Sequence, residues 1–487
     1  MYNQVGKAPY LIPLILREKE NVMSPSQNLN KVLSRVDVLV LAFGAMIGWG
    51  WVVLSGDWIL KAGSIGAMFA FVAGGILVIF VGLTYAELTT ALPKAGGAHH
   101  FVKEGLGRRA AFFVSWALLF GYISVSAFEA VALPTVIEYI FPHYQVGYMW
   151  TIAGWDVYAS WAAVGVIGAV LVTFINWIGV KQAAVLQIVL TVILALVGLM
   201  LIFGAAVGGD VQHMNPLFIG GAAGLMGVMI MTPFMFVGFD VIPQVAEEMN
   251  IPMKMIGKIL LVSVALAVIW YMLIILGVSL SLPPPFLLTA NLATADAMGA
   301  VFGSPFFAKV LIFGGVAGIL TSWNAFMIGS SRIIYAMAKD GMLPQWFGRI
   351  HPTYKTPGNA ILTVGLLSAL SPLLGRPALA WFVNAGGLAI VFAYLLVALS
   401  FIVLRKTRAD LDRPFRAGKT RVIGWIALLL SIGFVVMYMP GMPASLIWPY
   451  EWMITLAWWI VGLMLFVKSI FSSLSPARLH KHSEKTH

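Results

Sequence analysis

Apolar residues run through this chain in long stretches, separated by short polar segments that hold most of its charge. A helix crossing the hydrocarbon of a bilayer needs about 20 such residues. Twelve stretches meet that need, at 36–60, 65–91, 110–141, 158–179, 183–208, 217–245, 256–281, 303–336, 358–375, 378–404, 421–440 and 450–471. The third and eighth exceed it and are expected to tilt or to extend beyond the bilayer. The pattern predicts an all-α integral membrane protein with twelve transmembrane helices.

Two of these spans interrupt themselves. The first holds Gly44-Ala45-Met46-Ile47-Gly48-Trp49-Gly50, and the sixth holds Thr232-Pro233-Phe234-Met235-Phe236-Val237-Gly238-Phe239-Asp240. A broken helix exposes N–H and C=O groups that hydrocarbon satisfies nowhere, so each break is expected to line an enclosed or watery cavity. Breaks at corresponding positions of two halves point to a transporter's substrate site. Spans 1–5 and 6–10 then read as two five-helix halves, and an odd repeat length forces their opposite topology. This divides the chain into an N-terminal segment (1–35), a first repeat (36–208), a second repeat (217–405), a basic loop with two further spans (406–471) and a tail (472–487).

Charge orients the arrangement. With the N-terminus inside, only Lys61, Lys309 and Arg376 of the 30 Lys and Arg residues fall on the outer side. Positively charged loops stay in the cytoplasm, so both termini are expected there. The net charge of +11 therefore reads as membrane topology, and no nucleic-acid partner is expected. The segment 405–421 is a basic cytoplasmic loop. The loop 281–303, with Pro283-Pro284-Pro285, is expected outside, packed over an outer vestibule.

Composition removes other classes. Only 10% of the 487 residues are charged and 60% are hydrophobic, where a soluble chain would carry about 25% charge. Without cysteine there are no disulfides, no thiolate chemistry and no cysteine-held metal. The eight histidines form no HxxxH or HExxH pattern, and no metal or other cofactor is expected. No Walker motif suggests ATP hydrolysis. No signal peptide is read; residues 1–22 are a short interfacial helix or an extension before a start at Met23. The short termini and missing cysteines fit a bacterial inner membrane.

Five motifs carry a family resemblance. Gly44 to Gly50 resembles a G-x-I-I-G-x-G pattern, and Tyr85-Ala86-Glu87-Leu88 with Pro93-Lys94-Ala95-Gly96-Gly97 resembles Y-x-E-L…P-x-x-G-G. Asn176 to Lys181, Phe236 to Asp240 with Ala246-Glu247-Glu248 and Asn250 to Pro252, and Ser331 to Pro344 with Thr356-Pro357 continue the series in order. Over roughly residues 36–406 the chain resembles the amino acid–polyamine–organocation superfamily of secondary transporters. That resemblance implies a leucine-transporter-like fold, a 5+5 inverted repeat with two extra helices, and a substrate held at the midplane by broken helices 1 and 6.

The chemistry of the breaks agrees. A half-helix starting after the first break presents free N–H groups and a positive dipole end to a substrate carboxylate. Gly48 and Gly50, with Ala45 and Met46 beside them, let a ligand approach that backbone. The second break, at Gly238, offers carbonyls and a helix C-terminal end to an ammonium group. The alternative for such glycines is close helix packing. Trp49 either borders the site or packs away from it; with Trp51 and Trp58 it would form an aromatic wall for a cation. Relatives with proton-linked transport carry a lysine at roughly the position of Leu194.

Glu129, with Ser126, lies deep inside span three. A charge there costs at least about 2.5–3.5 kcal/mol, so it must face the bundle interior or water. Glu129 receives the cationic end of a substrate, titrates as a coupling proton site, or is a structural carboxyl. Asp240 either anchors the second break or senses ligand, and Phe236 and Phe326 are gate candidates or core. Thr321, Ser322, Ser330 and Ser331 would coordinate a coupling sodium or bond their own backbone. Glu87, Glu247 and Glu248 are expected to pair with Lys and Arg, and His99 and His100 to tune a pH response at the inner mouth. The functional expectation is an alternating-access carrier of an amino acid, driven by H+ or Na+ or by exchange. A carrier of a cationic amine recognised by Glu129, or a non-transporting sensor, are the alternatives; a membrane-embedded enzyme lacks a nucleophile–base pair.

Overall fold

A computed structural model of the chain describes residues 29–290, 292–442 and 444–474. The expected interfacial helix over 1–22 and the tail beyond 474 lie outside the described residues.

The first span is two helices, α1 (Arg35–Met46) and α2 (Gly50–Ala62), followed by α3 (Ser64–Ala91), α4 (Ala98–Leu106) and α5 (Arg108–Ile140). A two-stranded antiparallel hairpin, β1 (Tyr148–Ile152) and β2 (Trp155–Tyr158), precedes α6 (Ala159–Ile178) and α7 (Val180–Gly208). The sixth span is three short helices, α8 (Gly221–Met229), α9 (Thr232–Phe236) and α10 (Val241–Gln244). Then come α11 (Met253–Ser281), the short α12 (Pro284–Leu287) and α13 (Ala293–Val301), and α14 (Pro305–Lys339). The series ends with α15 (Gly358–Leu370), α16 (Ala378–Thr407), α17 (Val422–Met437) and α18 (Tyr450–Leu474).

Local chemistry sets these boundaries. Ser34 caps α1, accepting from the Asp37 N–H while the Asp37 carboxylate accepts from Ser34 N–H, a reciprocal capping box. Pro233 lies in the first turn of α9, where a missing N–H costs nothing. Two features were not foreseen. The hairpin turns at Ala153 and Gly154, both at positive φ, the pair of angles that matches strand twist. Helix α4 is a short amphipathic piece bounded by Gly97 and Gly107, also at positive φ.

Among the described residues, ten helices, counting 35–62 and 221–244 as one each, are long and apolar enough to cross a membrane. The other two expected spans are shorter than the pattern suggested: Gly358–Leu374 and Val422–Met437. Ser371-Pro372 ends the α-helical part of the first, because proline cannot donate the next backbone bond. Large apolar side chains such as Phe69, Phe174, Phe203, Phe313, Leu429 and Leu463 face outward, a surface suited to lipid.

The two interrupted spans cross inside the bundle. A Cβ on Gly238 would lie 2.8 Å from Ala45 Cβ and 3.0 Å from the Met46 backbone nitrogen, so only glycine permits this approach. Its φ of 138° asks for glycine as well. The segment 281–303 contains α13, whose Thr294 hydroxyl donates to the Trp51 and Val52 carbonyls of α2 at 3.0 and 3.1 Å.

Candidate substrate site

The first break leaves Ile47, Gly48 and Trp49 between two helices. Gly48 faces α14 and α5: a Cβ there would sit 2.5 Å from Ser322 Oγ and 3.2 Å from Glu129 Oε1. The Ser322 hydroxyl donates to Glu129 Oε1. The Trp49 backbone N–H faces the same carboxyl. The other Glu129 oxygen is buried with no hydrogen-bond partner among the described residues. A carboxyl group thus stands where the free N–H groups of the broken first span were expected to meet a substrate carboxylate.

Around Glu129 lies a small cavity of about 20 Å³. Of the expected residues, Ala45, Met46, Gly48, Trp49, Gly50, Glu129 and Phe326 line it. Tyr271, Ser322, Phe128 and Phe234 line it too. The sequence pattern marks Ser322 only as a sodium candidate, and nothing in the pattern of α11 marks Tyr271. A probe-sized void of roughly 10–15 Å³ holds one water, so this conformation has no room for an amino acid.

The remaining expected residues lie apart from the cavity. Ser126 donates back to Tyr122 O at 3.1 Å, within its own helix. Phe236 packs edge-on against Phe71 and Tyr271. Gly238 packs on α1, as above. Asp240 accepts from the Gly238 N–H at 2.9 Å and so anchors the second break. The buried Tyr122 hydroxyl faces the same carboxyl, and the buried Tyr85 and Tyr394 are grouped around it. The Trp51 and Trp58 wall does not form beside Trp49. Trp51 donates to Ile47 O at 3.0 Å and meets Trp270 edge-on, while Trp58 packs on Phe71 and Tyr271. Trp49 alone borders the cavity, its ring packed against Gly315. Gly44 faces Gln187 and Thr191 of α7, a helix-packing role.

The hydroxyls weighed for sodium serve α14 itself: Thr321 donates to Gly318 O at 2.9 Å, Ser330 to Phe326 O at 2.5 Å and Ser331 to Ile328 O at 2.8 Å. Leu194 is buried beside Gly318 and the Gly48 carbonyl, where no cation is supplied.

Ion pairs close the opposite end of the bundle. Arg332 holds Glu248 through two bonds, at 2.7 and 3.0 Å, with both side chains buried. The Glu248 carbonyl accepts from Val32 and Leu33, tying the residues before α1 to the end of the sixth span. Glu87 pairs with Arg405 and Arg413. Asp340 accepts from His99 Nε2 at 2.7 Å and from Lys103 at 2.6 Å, and His99 Nδ1 lies 2.8 Å from Ser115. Burial raises the Asp340 carboxyl, but bonds from His99 and Lys103 and their charges outweigh it and hold the group well below its usual value. His100, on the same turn, is pushed down to about 4 by burial and by neighbouring His99.

Comparison with known proteins follows the same outline. A family model described as amino acid permease matches residues 33–466. The chain is 28% identical to a branched-chain amino acid permease of Bacillus subtilis over 428 residues, covering 85% of this chain and 89% of the relative. It is 26% identical over 439 residues to an aspartate-proton symporter of the same organism, 85% of this chain and 80% of the relative. It is 29% identical over 408 residues to the human cationic amino acid transporter 4, 80% of this chain and 63% of the relative.

Proposed function

Since the chain belongs to the amino acid permease family, and is a membrane transport protein rather than an enzyme, we propose that it carries a small ammonium-bearing solute, an amino acid or related amine, by alternating access through the Glu129 cavity. The observation that carries this reading is Glu129 itself: a buried carboxyl with one unpartnered oxygen, set between the broken first span and α14. An unpaired charge or polar group in such a site is costly, so a ligand ammonium that bonds it is favoured over an empty cavity.

The proposed architecture is twelve spans in two inverted five-helix repeats, 36–208 and 217–405, with both termini on the cytoplasmic side of a bacterial inner membrane and a small soluble substrate as the main partner besides lipid. Admission of a solute to a 20 Å³ cavity requires α2, α9 and α13 to move apart on the outer side, or the Arg332–Glu248 closure to part on the inner side. Proton coupling is the preferred driving force. Among the described residues, Asp240 and Glu129 are buried acids inside the membrane that no basic side chain neutralises.

The test is thermal stabilisation of purified protein by amino acids and their decarboxylated amines: arginine with agmatine, ornithine with putrescine, leucine with isoamylamine. A ligand of the folded state stabilises by RT ln(1 + [L]/Kd). Stabilisation by amino acids alone supports a carboxylate held at Gly48–Gly50. Stabilisation by the amines as well assigns the ammonium to Glu129 and leaves the first break without a carboxylate role. No shift with any of these solutes, together with no uptake into proteoliposomes, overturns the reading.

A further inference from the structure

Glu138 lies nine residues beyond Glu129 on α5, about 14 Å along the helix at 1.5 Å per residue. There it borders a second cavity, of about 320 Å³, with Thr135, Tyr139, His143 and Arg376. Sites for small organic ligands begin at about 300 Å³. Arg376 comes from the turn between α15 and α16, so the two charges of opposite sign approach the cavity from different elements.

Among the described residues, neither charge is spent on a protein partner. Among the described residues, no ion pair or side-chain hydrogen bond involves Glu138 or Arg376, although Asp57 on α2 is near enough to feel the Arg376 charge. The half-buried and buried acids Glu87, Glu248 and Asp340 all hold basic partners instead. A carboxylate and a guanidinium that share a cavity without meeting call for a ligand carrying both complementary charges. An ammonium would bond Glu138, and a carboxylate would take the forked donors of Arg376.

We propose that this cavity is an outer binding site for a zwitterionic α-amino acid, held between Glu138 and Arg376; this rests on the reading of the protein as an amino acid carrier. Its wall belongs to the outer closure. The Tyr139 hydroxyl donates to Asp296 on α13 at 2.8 Å, and Thr294 on the same helix bonds the carbonyls of α2 directly above the Glu129 cavity. A solute held here sits against the elements that must part before it reaches Glu129.

The absence of cysteine makes the site accessible to a single introduced thiol. Pro142→Cys places it on the exposed rim of the cavity, and His143→Cys offers a second position if the first does not fold. Maleimide labelling is timed with each of the nineteen L-amino acids other than cysteine, whose thiol would consume the reagent, and with isoamylamine and 4-methylpentanoate as leucine analogues lacking one charge. At least one amino acid is expected to slow labelling threefold or more, while the two single-charge analogues do not. Adding Glu138→Gln or Arg376→Gln removes that protection, and adding Glu129→Gln keeps it. The proposal falls if no amino acid protects, if the single-charge analogues protect equally, if protection survives both outer substitutions, or if Glu129→Gln abolishes it. Uptake of the protecting amino acid into proteoliposomes is measured separately. Protection without uptake leaves this site standing and fails the transport reading; uptake without protection does the reverse.

Discussion

The Tyr271 hydroxyl stands 2.7 Å from the Met46 carbonyl oxygen that closes α1, and 3.2 Å from the Met235 carbonyl oxygen of α9. One side chain from α11 therefore supplies the donor that two broken helices lack. Tyr271→Phe is expected to leave the Met46 oxygen buried and unpaired, at a cost of about 1–3 kcal/mol. Reversible unfolding in mixed micelles reads this loss. A cost below about 0.5 kcal/mol would mean that water substitutes for the hydroxyl.

Gly48→Ala tests the close approach of the first break to Glu129. The added Cβ would lie 2.5 Å from Ser322 Oγ, so the Ser322–Glu129 bond must part. Ligand affinity is expected to fall at least tenfold, about 1.4 kcal/mol. Gly433→Ala on α17, where a Cβ meets nothing within 4 Å, serves as the control and should bind as the parent does. Equal binding by both variants would remove Gly48 from the site.

Breaking the buried Arg332–Glu248 pair is expected to cost about 3–5 kcal/mol in either single variant, Arg332→Gln or Glu248→Gln, because the remaining charge is stranded. The double variant carries no stranded charge and should recover much of the loss. Unfolding free energies of the three variants decide it; a double variant as unstable as the sum of the singles would contradict a direct pairing role.

At the end of the bundle that holds His99, His100 and Asp340 the expectation concerns acid. His100 is held at about 4, below the 6.5 of an unconstrained imidazole, so the folded state favours its neutral form. Its contribution is complete above pH 6.5 and is lost as pH falls from 6.5 towards 4. Asp340, whose carboxyl is also depressed, acts lower: its contribution is complete above about its unfolded value of 3.8 and is lost below it. His100→Gln should flatten the thermal midpoint between pH 6.5 and 4 and leave the steeper loss at lower pH in place. An unchanged profile would show that other groups set the acid limit.

Glu129→Gln keeps an acceptor for Ser322 and removes the charge. Affinity for ammonium-bearing ligands is expected to drop at least tenfold, about 1.4 kcal/mol, and the pH dependence of uptake to change. Unaltered affinity, charge preference and pH profile would make Glu129 a structural carboxyl.

Hydropathy and glycine spacing by themselves determined the helical class, ten of the long spans and the position of both breaks. These are demands made locally: a span must hide its backbone from hydrocarbon, and Gly48, Gly50 and Gly238 announce where it does not. The motif residues Glu87 and Glu248 were also legible as partners of basic groups, because an acid near the membrane surface needs one. Which side chains share the cavity was decided only by the tertiary structure. Helix α5 is 94% buried over its apolar window, so no amphipathic period distinguishes the Glu129 face from the Ser126 face. Phe236 and Phe326 are both phenylalanines on apolar helices, yet of the two only Phe326 reaches the cavity. Tyr271, Ser322 and Glu129 meet from three helices far apart in sequence, and the rotation of each helix about its axis is set by packing against its neighbours. A side turned to hydrocarbon is as apolar as a side turned to protein, so a membrane helix carries little record of that rotation in its own hydrophobic pattern.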